Sequence, residues 1–88
     1  MEVKSSLDWA KVETELQALL PRIKDGRYAM QANKMLRNFR PMINRLGMLE
    51  LEARRSPYGS HTRLKEHLDK VNQDVLEFEQ WITLLMLM

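Results

Sequence analysis

Apolar residues recur at alternating steps of three and four along three stretches of this 88-residue chain. An α-helix completes a turn in about 3.6 residues, so this spacing places the apolar side chains of each stretch on one face of a helix. Three such faces can be buried against one another in a shared core. The predicted core positions are Trp9, Val12, Leu16, Leu19 and Ile23; Tyr28, Ala32, Met35, Phe39, Met42, Leu46, Leu49 and Ala53; and Leu64, Leu68, Val71, Val75, Phe78, Ile82 and Leu85.

Capping residues and turn formers predict where the first helix begins and ends. Ser5 and Asp8 have the spacing of a capping box, which places the start of helix 1 near residue 6. Pro21 interrupts this helix, so a kinked helix reaching about residue 24 competes with an end just before the proline. The Asp25-Gly26 pair is expected to form the terminating turn, with Gly26 in the left-handed conformation.

The second and third helices are predicted to form a long hairpin. Helix 2 spans about 27–54 and helix 3 about 62–86, and the turn at 55–61 contains serine, proline and glycine. Two helices of similar length joined by a short turn pack antiparallel, with helix 1 (about 6–24) along them. The predicted fold is a single all-α domain over residues 1–88, a three-helix antiparallel bundle with a shorter, Pro-kinked helix 1.

Two interpretations of helix 2 compete at Pro41. Proline removes a backbone hydrogen bond and clashes with the preceding turn, so two shorter helices joined near Arg40 and Pro41 fit the sequence. The apolar spacing nevertheless keeps its phase from Phe39 through Met42 to Leu46. This continuity favours one kinked helix.

Composition restricts the cellular context. The chain has no cysteine, which excludes disulfides and thiolate metal sites. The longest uncharged apolar run covers 80–88, whereas a membrane helix needs about 20 residues. No signal peptide is visible at the start. We therefore expect a cytoplasmic protein with no membrane association.

The histidine and acidic residues show no spacing typical of a catalytic or metal-binding site. His67 has no histidine or carboxylate three or four residues away, the spacing a helical metal site requires. The acid pairs Glu13/Glu15 and Glu77/Glu79 are two residues apart, so their side chains diverge by about 160° on a helix. No glycine-rich phosphate loop is present. We expect a protein that is not an enzyme and that uses no metal, cofactor or small-molecule substrate.

Apolar residues outside the core stripes predict an interaction surface. Trp81, Leu84 and Met88 lie off the stripe of helix 3, and Met30 and Met48 lie off that of helix 2. A contiguous apolar patch with a tryptophan is typical of an interface, although helix 1 could instead cover Trp81 and Leu84. The sequence favours a protein–protein interaction module, such as an adaptor, assembly factor or chaperone-like subunit. We expect it to be a homodimer that associates through the end of helix 3.

A basic face on helix 2 supports an alternative function. Between residues 26 and 49 the chain has five basic residues and no acidic residue. A nucleic acid could dock on them because neutralised phosphates release counterions. No aromatic residue interleaves with the basic ones for base stacking, so nucleic-acid binding is the second hypothesis. The five candidates are Arg27, Lys34, Arg37, Arg40 and Arg45.

Overall fold

The computed structural model describes residues 1–56 and 60–88, and it is all-α. Its four helices are α1 (Trp9–Leu19), α2 (Gly26–Arg37), α3 (Arg40–Arg55) and α4 (Ser60–Leu87), and no strand occurs among the described residues. Short 3₁₀ turns at Ser6–Asp8 and Leu20–Arg22 flank α1. The central part of the predicted turn, residues 57–59, lies outside the described part of the chain.

The start of the helical region is confirmed in detail. The Ser5 hydroxyl accepts a hydrogen bond from the Leu7 N–H (3.3 Å), and the Asp8 carboxylate accepts one from the Ser5 N–H (3.2 Å). These two bonds form the predicted capping box. They satisfy backbone donors that the first helical turn leaves free.

The α-helical hydrogen bonding of α1 stops at the proline predicted to interrupt it. Pro21 has no N–H to donate to the carbonyl of Gln17, and that carbonyl instead accepts a hydrogen bond from the Leu20 N–H. The chain continues through the 3₁₀ turn Leu20–Arg22 and becomes extended at Ile23 (φ −78°, ψ 120°). Ile23 remains buried, as the apolar stripe predicts.

The prediction for Gly26 was wrong. The Asp25 carboxylate accepts a hydrogen bond from the Arg27 N–H (2.9 Å), which makes Asp25 the N-cap of α2. Gly26 is the first residue of that helix rather than a left-handed terminator. Extended backbone at Ile23 and Asp25 makes the reversal between α1 and α2.

The chain forms two helices where one kinked helix 2 was favoured. Pro41 cannot donate to the carbonyl of Arg37, which ends the α-helical bonding there. The Phe39 N–H donates to the Leu36 carbonyl at the shorter 3₁₀ spacing (3.2 Å), and α3 begins at Arg40. The alternative of two shorter helices joined near Arg40 and Pro41 therefore describes this segment.

The core follows the predicted stripes from Trp9 to Leu16 and from Val71 to Leu85 but differs in α2 and α3. The predicted core residues Leu19, Leu64 and Leu68 are only half-buried. Leu36 and Ile43 are buried, whereas the predicted Met35 is 40% exposed and Met42 is only half-buried. Tyr28, also predicted to be in the core, is exposed. The buried apolar residues are Val3, Trp9, Val12, Leu16, Leu20, Ile23, Ala32, Leu36, Phe39, Ile43, Leu46, Leu49, Val71, Val75, Phe78, Ile82 and Leu85.

The backbone forms a rod of 48 × 17 × 16 Å with two unlike regions. In one, which we call the packed half, α1, α2, the first half of α3 and the second half of α4 share the core cluster. In the other, the two-helix end (residues 51–55 and 61–70), no residue is fully buried. Hydrogen bonds and ring contacts join the N-terminal segment and α1 to the rest of the rod. All of the described ones lie outside the two-helix end.

Candidate interaction surfaces

An exposed apolar strip runs along the second half of α4. Leu76, Leu84, Leu87 and Met88 are 48%, 61%, 80% and 73% exposed, and the first three lie opposite the buried residues of the same helix. No charged residue follows Glu79 in the chain. We call these four residues the α4 strip. It includes the predicted interface residues Leu84 and Met88.

Trp81 occupies a different surface from the α4 strip. Its side chain is half-buried, and its ring lies 6.1 Å from that of Phe78. It lines a groove of about 290 Å³ together with Phe39 and Met42 at the junction of α2 and α3. The structure therefore places Trp81 at the edge of the core, while Leu84 points to solvent.

Aromatic rings connect the helices behind that groove. The Trp9 and Phe39 ring centroids are 5.4 Å apart, and those of Phe39 and Phe78 are 5.7 Å apart in an edge-to-face arrangement. The Trp9 indole N–H donates to the Glu13 carboxylate (2.9 Å). Ring pairs of this geometry contribute about 0.5–1.5 kcal/mol beyond their buried area. They join α1, the α2–α3 junction and α4 at one level of the rod.

The predicted basic face is divided by the break between α2 and α3. Arg27 lies 3.7 Å from Asp25, and Arg40 lies 3.8 Å from Glu13. Within the described part of the chain, the other three candidates have no carboxylate within 4.0 Å; they are Lys34, Arg37 and Arg45. Met30 is 75% exposed on α2, on the same side as Lys34 and Arg37.

A wide groove of about 1040 Å³ separates α3 from α4 near the two-helix end. Each helix contributes side chains at positions i, i+3, i+4 and i+7, which share one helical face. On α3 these are Arg45, Met48, Leu49 and Glu52, and on α4 they are Arg63, Glu66, His67 and Lys70. The predicted interface residue Met48 is 64% exposed here. We call this surface the α3–α4 groove.

His67 connects the two walls of the α3–α4 groove. Its Nε2 atom lies 2.8 Å from the Met42 carbonyl, which leaves Nε2–H as the donor. The carbonyl is in the first turn of α3, so this hydrogen bond ties the first third of α4 to the beginning of the other helix. On α4 the contact lies within the two-helix end.

The N-terminal segment forms a contact that the helical pattern does not predict. Val3 is fully buried, and the Asn72 side chain bonds both of its backbone groups: Val3 N–H donates to Oδ1 (2.7 Å), and Nδ2 donates to the Val3 carbonyl (2.8 Å). The Glu50 carboxylate accepts from the Ser6 N–H (2.7 Å) and hydroxyl (3.2 Å). In the sequence, the only sign of this contact was the apolar residue Val3 shortly before the N-cap Ser5.

The described residues contain no group of three or more histidine, cysteine, aspartate or glutamate side chains placed to hold a metal ion. Across the same residues, none of the helices combines the length and apolar character needed to span a bilayer. Searches against protein families, curated proteins and solved structures found no match to this chain.

Proposed function

We propose that this chain is a non-enzymatic protein–protein interaction module: a small helical adaptor, assembly factor or chaperone-like subunit acting in the cytoplasm. The observation that carries the proposal is the α4 strip, in which three large apolar side chains are exposed at the end of the longest helix and Leu76 is exposed about two turns before them. Single exposed apolar residues are common on protein surfaces, but a contiguous uncharged strip is typical of an interface.

The architecture we propose for the module is an antiparallel three-helix bundle in which α2 and α3 together count as one helix. The first helical stretch is kinked at its proline. Two contacts between α3 and its neighbour α4 support the antiparallel arrangement. Phe39, before α3, meets Phe78, whereas Met42 meets His67, so partner numbers fall as residue numbers rise. The 3₁₀ turn that contains Pro21 supports the kink.

The chemistry around the α4 strip favours a partner helix that is apolar on one side and neutral or basic beside it. After Lys70 the chain has three charged residues, Asp74, Glu77 and Glu79, and all are acidic. Burying the strip would contribute about 25 cal/mol per Å² of apolar area before association costs are subtracted. A second copy is the partner that the small size of the domain favours, although it would bring these acidic residues face to face.

The direct test is the molar mass of the full chain by light scattering, measured at low and high protein concentration. A dimer formed through the α4 strip should become a monomer in the double variant Leu84→Lys with Leu87→Lys, because the added charges cannot be buried. Circular dichroism should show unchanged helicity, since both side chains are exposed. Gln17→Lys with Gln31→Lys is a matched control that adds the same two charges at exposed positions on other helices.

If the wild-type chain is a monomer at both concentrations, self-association is wrong, and the strip is left for a different protein. If the double variant remains a dimer, the α4 strip is not where the two copies meet. Loss of the dimer together with lost helicity would instead show that Leu84 and Leu87 support the fold.

Nucleic-acid binding is the second candidate function. Lys34 and Arg37 are exposed and unpaired within the described part of the chain, which supports an anion-binding surface on α2. Retention of a labelled DNA or RNA probe in low salt tests it. Under this hypothesis Arg37→Glu with Arg45→Glu abolishes retention and flattens its salt dependence. No retention by the wild-type chain, even in low salt, would exclude this function.

A further inference from the structure

The charged side chains of the α3–α4 groove have no partners within the described part of the chain. Five of them line it: Arg45, Glu52, Arg63, Glu66 and Lys70. All five are exposed, and none lies within 4.0 Å of an opposite charge among the described residues. The groove thus presents both signs of charge beside the apolar side chains of Met42, Met48 and Leu49. A partner that carries both positive and negative charges could form ion pairs with these side chains.

The order of charges along α3 is self-complementary. Arg45 and Glu52 are seven residues apart, two helical turns, and the exposed Met48 lies between them on the same face. A twofold axis perpendicular to the helix, passing between Met48 and Leu49, brings Arg45 of one copy opposite Glu52 of another. Isologous interfaces require this reciprocity, because residue i contacts j while j contacts i.

We infer that a second copy of this chain docks in the α3–α4 groove, with Met48 at the twofold axis and Arg45 of each copy paired with the partner's Glu52. The inference rests on the self-association in the proposed function and assigns it to a different surface. Two reciprocal ion pairs flank an apolar centre in this arrangement. The charges determine register and orientation, and the apolar centre contributes most of the affinity.

The α4 strip offers a second copy no such complementarity. Every charged residue after Lys70 is acidic, so two copies meeting there form no ion pair. The groove also suits a protein better than a nucleic acid, because Glu52 and Glu66 would repel phosphates. The strip is then left for a different, neutral or basic partner.

Charge reversal and exchange in the full chain test this arrangement by light scattering over a concentration series. Arg45→Glu alone and Glu52→Arg alone each place like charges opposite one another at two symmetric points. We expect each to raise the dimer dissociation constant at least tenfold, to order of magnitude. The double exchange Arg45→Glu with Glu52→Arg restores opposite charges and should return the constant to within about threefold of wild type.

Mixing the two single variants gives an independent readout. Arg45→Glu carries two acidic residues and Glu52→Arg two basic ones, so an equimolar mixture should form a heterodimer although each variant alone is weakened. Lys34→Glu, a charge reversal at an exposed position outside the groove, should leave the constant unchanged. Circular dichroism verifies that each variant is folded.

A wild-type chain that stays monomeric overturns the inference, as do single variants with unchanged dimerisation or an exchange that fails to restore it. Loss of the dimer in Leu84→Lys with Leu87→Lys, but not in the charge variants, would place self-association on the α4 strip as first proposed. The reverse pattern supports the groove and shows that self-association through the strip is wrong.

Discussion

The packed half and the two-helix end are built from helices of the same chain but differ in what covers them. In the packed half, Leu16, Val75 and Ile82 are fully buried. The rings of Trp9, Phe39 and Phe78 pack against one another there. In the two-helix end, residues such as Leu64 and Leu68 are only half-buried. Two helices cover only one face of each other, so a third element is needed to remove the remaining apolar surface from water.

This difference separates the residues that stabilise the fold from the interaction surface inferred for the α3–α4 groove. The buried side chains that resist unfolding lie in the packed half, where removing one leaves a cavity. The α3–α4 groove lies towards the end that lacks a third element and has exposed side chains free to meet a partner. Three pairs of variants and one single variant test how these regions are held together, and the largest expected effect comes first.

Truncating one leucine in each region gives the most direct comparison. Leu16→Ala should lower the free energy of unfolding by about 3–5 kcal/mol, because Leu16 is fully buried and its removal leaves a cavity. Leu64→Ala, at a half-buried position in the two-helix end, should cost about 1 kcal/mol. Urea unfolding followed by circular dichroism measures both. Equal losses would mean that the two regions are packed alike.

Neighbouring residues of α2 test which face of that helix is in the core. Leu36→Ala should lower the free energy of unfolding by about 2–4 kcal/mol, because Leu36 is buried. Met35→Ala should cost under about 1 kcal/mol, since Met35 is 40% exposed. The same urea experiment would give the opposite order if the sequence-predicted stripe through Met35 were the buried one.

The contact between Asn72 and Val3 tests how the N-terminal segment is held near the border of the two regions. Asn72→Ala leaves the buried Val3 backbone groups without their partner, which should cost about 1–3 kcal/mol. Faster hydrogen exchange at the Val3 amide should accompany the loss. Gln73→Ala, which removes only an exposed bond to Glu77, should change stability by less than about 0.5 kcal/mol. An unchanged Val3 exchange rate would show that Asn72 does not hold the segment.

The smallest effect is expected at the ion pair between α1 and α3. Arg40 is largely exposed, and its 3.8 Å distance to Glu13 is long for a charged hydrogen bond. Arg40→Ala should therefore lower the free energy of unfolding by less than about 0.5 kcal/mol, and added salt should reduce the difference further. A loss above about 2 kcal/mol would mean that this pair, rather than the aromatic contacts, joins the two helices.

Residue patterns predicted the buried face well where only one stripe was apolar throughout. In α4 the alternative stripe of the same spacing passes through Asp74, and the buried residues from Val71 to Leu85 are those predicted. In α2 and α3 the pairs Met35/Leu36 and Met42/Ile43 put apolar residues side by side, so two stripes with the same spacing fit equally well. The contacts with neighbouring helices decide between them.

The interaction surfaces were less predictable for a related reason. Exposure of Leu84, Met88, Met30 and Met48 follows from their distance to the stripes, and the structure places all four at the surface. Trp81 was grouped with them, but the α2–α3 junction packs next to it. The α3–α4 groove was not predicted, because its charged walls come from two helices whose relative rotation is absent from either local sequence.

The sequence by itself determined the all-α class, the capping box at Ser5 and the places where Pro21 and Pro41 interrupt α-helical hydrogen bonding. These are local properties, since they depend on helical period, on side-chain acceptors a few residues away and on a missing N–H. Only the tertiary structure decided that Val3 is buried and that α3 and α4 leave a charged groove between them. Those outcomes depend on which surfaces meet across the rod, and a free energy summed over distant contacts, rather than any local preference, selects them.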